Sequence, residues 1–184
     1  MDLKKFLEIG PDYPWTAMPA LYVVQMPQTR ELFRVGASGT RLSQSNDPVF
    51  GSDRAENLGL LGRMRLYWGF WEGLDVQGKI HACLTIKRQL VANENDRTAT
   101  GVDDTIYNVD RSRTLVLEKE AQLHNLLDAK GLRWDAERKK ELFVPNRGVN
   151  QLISSMRQIV GETLYLFDSK EIYEDLTYKG GNKR

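Results

Sequence analysis

Three kinds of side chain in this sequence have the type and spacing to do chemistry. The first is Glu120. Along RTLVLEKEAQLHNLLDAK, residues 113–130, Val116, Glu120, Leu123 and Leu127 recur at helical spacing and share one face. A carboxylate therefore sits on an otherwise apolar stripe, while Glu118 and Lys119 fall off it. Burying a carboxylate without a cation or hydrogen-bond donors is costly, so Glu120 either reaches past the end of a core or holds something positive. His124 follows one turn later. The second kind is the arginine pair Arg63 and Arg65 in LLGRMRLYWGFW, residues 60–71. Met64, Leu66, Trp68 and Phe70 alternate with Arg63, Arg65, Tyr67 and Gly69, which predicts a strand with one core face. Its other face, two guanidiniums beside an aromatic, suits a phosphate-binding groove or, more commonly, a solvated surface with snorkelling arginines. The third is the thiol of Cys83, whose neighbours Ala82 and Leu84 favour a buried structural role over a nucleophilic one.

Elements of both periodicities must position these groups. Residues 20–37, ALYVVQMPQTRELFRVGA, predict a hairpin of strands 21–26 and 31–35 joined by a turn at Pro27, Gln28 and Thr29. Phe33 and Val35 fall on one face of its second strand, Leu32 and Arg34 on the other. Gly36 should break that strand, at a sheet edge or where a ligand approaches the backbone. Residues 79–91 predict a further strand, antiparallel to 60–71. The 113–130 helix stops at Gly131, a second amphipathic helix spans 148–160, and a last strand spans 163–167 with Tyr165 and Phe167 at alternate positions. Segments 38–59 and 93–110 are polar enough to be loops or excursions, and the trio Thr105-Ile106-Tyr107 is too short for a strand.

Residues 1–19 form an arm: a short helix through Leu3, Phe6 and Leu7, then an extended segment at Pro14, Trp15 and Pro19. Its buried aromatics pin it against its own domain or, less often, against a partner. Residues 168–184 read as a tail ending in the flexible KGGNKR. The expected organisation is one α+β domain over 20–167, a small central antiparallel sheet flanked by helices, with an N-terminal arm and long polar loops.

Bulk properties limit the function classes. The 184 residues suffice for one domain with a sizeable core, and two full domains would be cramped. Lys and Arg number 26 against 25 Asp and Glu, a net charge of +1, so any nucleic-acid site must be a local patch. A single cysteine excludes an internal disulfide and fits a reducing intracellular compartment such as the cytoplasm. The first residues, MDLKKFLEIGPDYP, hold no apolar export core, and no run of about 18 apolar residues suggests a membrane span.

A hairpin whose first strand ends in an aliphatic-aromatic triplet and whose second ends in aliphatic-Gly, with an Arg following and a Glu on a later helix, resembles the GIY-YIG nuclease domain. Ala20-Leu21-Tyr22 stands where that family has Gly-Ile-Tyr, and Arg34-Val35-Gly36 where it has Tyr-Ile-Gly. Downstream, the Glu-x-x-Leu-His of residues 120–124 and the run Glu141-Leu142-Phe143-Val144, with a further helix after it, follow the later half of the family's order. The resemblance implies a GIY-YIG-like fold and metal-dependent cleavage of a phosphodiester bond, in DNA rather than RNA. Tyr22 would be general base or position the attacking water, Arg41 would clamp the scissile phosphate, and Glu120 would ligate a single Mg²⁺. Arg54 and Arg63 compete with Arg41 for the clamp, and Arg34, Arg63, Arg65 and His124 are the expected substrate-binding residues.

Two departures point the other way. Arg34 replaces the family's second tyrosine, and with a pKa above about 12 it cannot accept a proton at pH 7. The near-neutral charge also lacks the basic excess of a nuclease surface. Tyr22 reads equally as a core tyrosine, and Glu120 as a partner of Arg63 or Arg65. The second expectation is therefore a catalytically inactive member of the same fold, an assembly or nucleic-acid contact protein such as a minor virion component. Its arm and polar loops would supply partner surface.

Overall fold

The segment ALYVVQ is apolar on both faces of a strand, so it can be stable only with cover on both sides. In the computed structural model, which describes residues 1–25, 32–38, 59–71, 78–86, 102–132, 142–161 and 164–177, it is the central strand β1 (Ala20–Gln25). The other strands are β2 (Leu32–Ser38), β3 (Lys79–Ile86), β4 (Leu142–Pro145) and β5 (Leu164–Asp168). They form an antiparallel sheet in the order β4-β2-β1-β3-β5. The helices are α1 (Leu3–Ile9), α2 (Leu60–Trp71), α3 (Val102–Ala129), α4 (Val149–Ile159) and α5 (Ser169–Thr177). The expected α+β class is thus met, with five paired strands.

Two cores follow from the alternation of β1. Leu21 and Val23 face one way and pack with Phe33, Val35, Val116, Leu123, Leu127 and the α4 side chains Leu152, Met156 and Ile159. Ala20, Tyr22 and Val24 face the other way and pack with Phe6, Leu60, Met64, Tyr67, Ile172 and Leu176. One face of the sheet is therefore covered by α3 and α4, the other by α1, α2 and α5. Phe33 and Val35 lie on the α3 side, the division of β2 that its alternation predicts.

Several elements differ from the sequence reading. Residues 60–71 are a helix, and Leu60, Leu61, Met64 and Tyr67 are its buried line. The apparent alternation dissolves there: Leu66 is 53% exposed. The segment contains no Val, Ile or Thr, and that lack of β-branched residues is the signal against a strand. β3 accordingly pairs with β1 and β5 rather than with 60–71; it spans Lys79–Ile86, and 87–91 of the expected strand lie outside the described residues. β2 runs through Gly36 to Ser38. Helix α3 begins at Val102, so the latter part of 93–110, including 105–107, is helical. The turn at 27–29 and most of 38–59 lie outside the described residues, as does KGGNKR.

Both ends of the described chain join the second core. Leu3 and Phe6 are buried, and residues 10–12 and 14–17 form two 3₁₀ turns, with only Tyr13 extended between them, in place of the expected extended segment. Trp15 stacks on Phe167 with centroids 4.7 Å apart and donates Nε1–H to Asp175 Oδ2 at 2.8 Å. Residues 169–177, expected as tail, are α5, with Ile172 and Leu176 buried. Among the described residues no helix is long and apolar enough to cross a membrane.

The packing of α3 fixes an expectation for its two sides. Leu123→Ala should cost about 2–5 kcal/mol by transfer and cavity effects, whereas Leu117→Ala on the exposed side should stay within about 0.5 kcal/mol. Denaturant unfolding midpoints at constant slope measure both.

Candidate functional site

The hairpin register sets Tyr22 opposite Gly36 and Val24 opposite Arg34. The Tyr22 ring lies across the glycine so closely that a Cβ there would fall 2.5 Å from its Oη and 2.8 Å from its Cζ. Gly36 is thus required by an approach to the backbone, but the approaching group is the chain's own tyrosine. The Tyr22 hydroxyl shares a 3.0 Å hydrogen bond with the Tyr67 hydroxyl of α2, and the two rings meet edge to face at 5.9 Å. Tyr22 is 1% exposed and Tyr67 5%. The Arg34 guanidinium lies over the Tyr67 ring, 5.5 Å from its centroid. Burial drives the Tyr67 phenol far above its ordinary value of 10.0; the Tyr22 hydroxyl adds to the rise and the charges of Arg34 and Arg63 oppose it.

This face of the sheet therefore gathers Tyr22, Arg34 and Tyr67, with Arg63 within electrostatic reach. Arg65 is exposed on the same helix. The sequence reading missed Tyr67 as a member. Its signal was the four-residue spacing from Arg63, which has meaning only on a helix.

Glu120 is elsewhere. Its helical neighbours Val116, Leu123 and Leu127 pack against Leu21 and Val23, which alternate with Tyr22 along β1. Successive strand side chains point to opposite faces, so the sheet stands between the Glu120 helix and the Tyr22 phenol. The two do not converge on one concave surface. Glu120 Oε1 lies 3.8 Å from His124 Nε2, one turn along the same helix, beyond hydrogen-bond length, and each side chain is about a quarter exposed. Neither Arg63 nor Arg65 can reach it from α2 across the sheet. Arg41, Arg54 and Glu141 lie outside the described residues, although β4 begins at Leu142 as the expected short strand.

One carboxylate beside an imidazole nitrogen is a poor match to Mg²⁺, which prefers an octahedron of oxygens. Among the described residues no group of three or more His, Cys, Asp or Glu side chains gathers to hold a metal ion. Cys83 is fully buried beside Tyr22 in the sheet, and burial drives its thiol well above its ordinary pKa, which suits packing and not nucleophilic attack. No family model, no curated protein and no solved structure matches this chain.

The hydroxyl pair predicts a stability effect. Tyr22→Phe leaves the Tyr67 hydroxyl buried without that partner and should cost about 1–3 kcal/mol, read as a lower melting temperature. Gly36→Ala should destabilise by a similar ~1–3 kcal/mol, because the Tyr22 ring must move. The raised Tyr67 pKa fixes the sign of an alkaline dependence. Below pH 10 the phenol is neutral folded and unfolded, so it contributes no slope. Above pH 10 only the unfolded state releases the proton, so stability should fall by about 1.4 kcal/mol per pH unit from this group. Absorbance titration at the tyrosinate band should show Tyr67 ionising only as the protein unfolds.

Proposed function

We propose that this protein is a non-catalytic assembly protein, built on a sheet and hairpin that resemble those of the GIY-YIG domain. One observation carries the reading. The phenol that would serve as base is sealed in a core, bonded to a second phenol and laid on a glycine, with the sheet between it and the acid that would hold the metal. A base must come within hydrogen-bond reach of the proton it takes, and a buried phenol already paired cannot meet a phosphodiester or its attacking water. What remains is a stable framework with large apolar side chains on its outside. Leu66 on α2, Leu117 on α3, Tyr165 on β5 and Tyr173 on α5 are all exposed, and aromatic and aliphatic groups of this kind anchor protein interfaces.

The competing reading is Mg²⁺-dependent cleavage of DNA by Tyr22, Arg41 and Glu120. Purified protein and a Glu120→Ala variant incubated with supercoiled plasmid and Mg²⁺ or Mn²⁺ separate the two. Intact plasmid with both proteins is the expected result. Nicking by the parent that disappears in Glu120→Ala would overturn the assembly reading and restore the nuclease.

A further inference from the structure

A cleft of about 360 Å³ opens on the α4 side of the sheet, between that helix, the start of β3 and the corner where β5 turns into α5. Asn150, Ser154 and Arg157 recur along α4 at helical spacing and line one wall. His81 of β3 stands opposite, its ring held against Phe33 at 5.0 Å, and Lys170 projects from the first turn of α5. Ile153 supplies an apolar wall.

Asp168, the acid among the described lining residues, is already engaged. Asp168 Oδ1 accepts the backbone N–H groups of Lys170 and Glu171 at 2.9 and 3.0 Å, and its own N–H donates to Glu171 Oε2 at 2.9 Å, so it caps α5. Its Oδ2 accepts from Arg157 Nη2 at 3.2 Å. That bond orients the guanidinium at the cleft and leaves its remaining N–H donors for another acceptor. With Asp168 engaged, the lining offers as donors a guanidinium, an amide, two hydroxyls, an imidazole and the Lys170 ammonium. The 3.7 Å pair of that ammonium with Glu174 Oε1 is solvent-exposed and therefore weak enough to be exchanged for a phosphoryl oxygen.

We propose that this cleft binds a phosphate monoester, with Arg157 and Lys170 on the phosphoryl oxygens and the body of the ligand against Ile153. A monoester presents several charged acceptor oxygens, which match this donor set, and the volume falls in the range of small-molecule sites of about 300–1,000 Å³. The same group arises in a free mononucleotide and at the 5′ end of a nucleic-acid strand. This site does not depend on the assembly reading, since Tyr22, Arg34 and Tyr67 are not among its lining residues.

The test is nuclear magnetic resonance titration of the full chain with inorganic phosphate, with adenosine monophosphate, and with a short oligonucleotide carrying or lacking a 5′ phosphate. Saturable shifts at His81, Asn150 and Ser154 are expected. Arg157→Ala should weaken binding about tenfold or more, Arg157→Lys less, and Lys119→Ala on α3 not at all. Binding of the mononucleotide alone assigns the free ligand; binding of the 5′-phosphorylated strand with failure of its unphosphorylated form assigns the strand end. Circular dichroism confirms that each variant is folded. Absence of saturable shifts with phosphate, the mononucleotide and the 5′-phosphorylated strand alike, or equal weakening by Arg157→Ala and Lys119→Ala, overturns the proposal.

Discussion

The constraint on which this molecule depends is that β1 is buried on both faces. Each of its apolar side chains needs a partner layer, and the two-residue period divides them between two layers with no freedom to share. Leu21 and Val23 call for α3 and α4; Ala20, Tyr22 and Val24 call for α1, α2 and α5. The same period decides the chemistry. A one-residue shift of register would carry Tyr22 to the Glu120 side and expose a different molecule, but every neighbour of β1 resists that shift through its own packed side chains.

The Tyr22 face shows how a polar group is accommodated in such a layer. A phenol in a core needs a hydrogen-bond partner, and Tyr67 provides one at 3.0 Å while the missing side chain of Gly36 gives the ring its space. Arg34 covers the second ring with its guanidinium. These contacts rigidify the junction of the hairpin with α2 and occupy the Tyr22 hydroxyl.

Closure of this second layer comes from the two ends of the described chain. The stack of Trp15 on Phe167, the Trp15 bond to Asp175 and the bond from the Tyr13 hydroxyl to the Leu176 carbonyl tie residues 13–15 to β5 and α5. Interactions over such sequence separations carry a loop-closure cost that the buried aromatics and hydrogen bonds must offset. The corner between β5 and α5 is rigid for a separate reason, the cap by Asp168, and that rigidity is what presents Arg157 to the cleft on the other layer.

The sequence by itself determined the elements whose periodicity has one solution. The hairpin, the strand around Cys83 and the strand read at 163–167 fit a two-residue period, and the helices around Leu123 and Leu152 fit a helical one. It also determined that Phe33 and Arg34 part company, because alternation on a strand is local. Residues 60–71 were illegible by pattern, since apolar and polar positions in LLGRMRLYWGFW satisfy both periods; the lack of β-branched residues leans against a strand, and the cover required by β1 selects the helix. The helical stripe through Glu120 was legible; which face of the sheet that stripe would cover was not, for a stripe specifies that it must be buried and not against what. Sheet order and layer assignment are long-range properties. They alone set Tyr22 beside Tyr67 rather than beside Glu120, and brought His81 and Arg157, far apart in the chain, to one cleft.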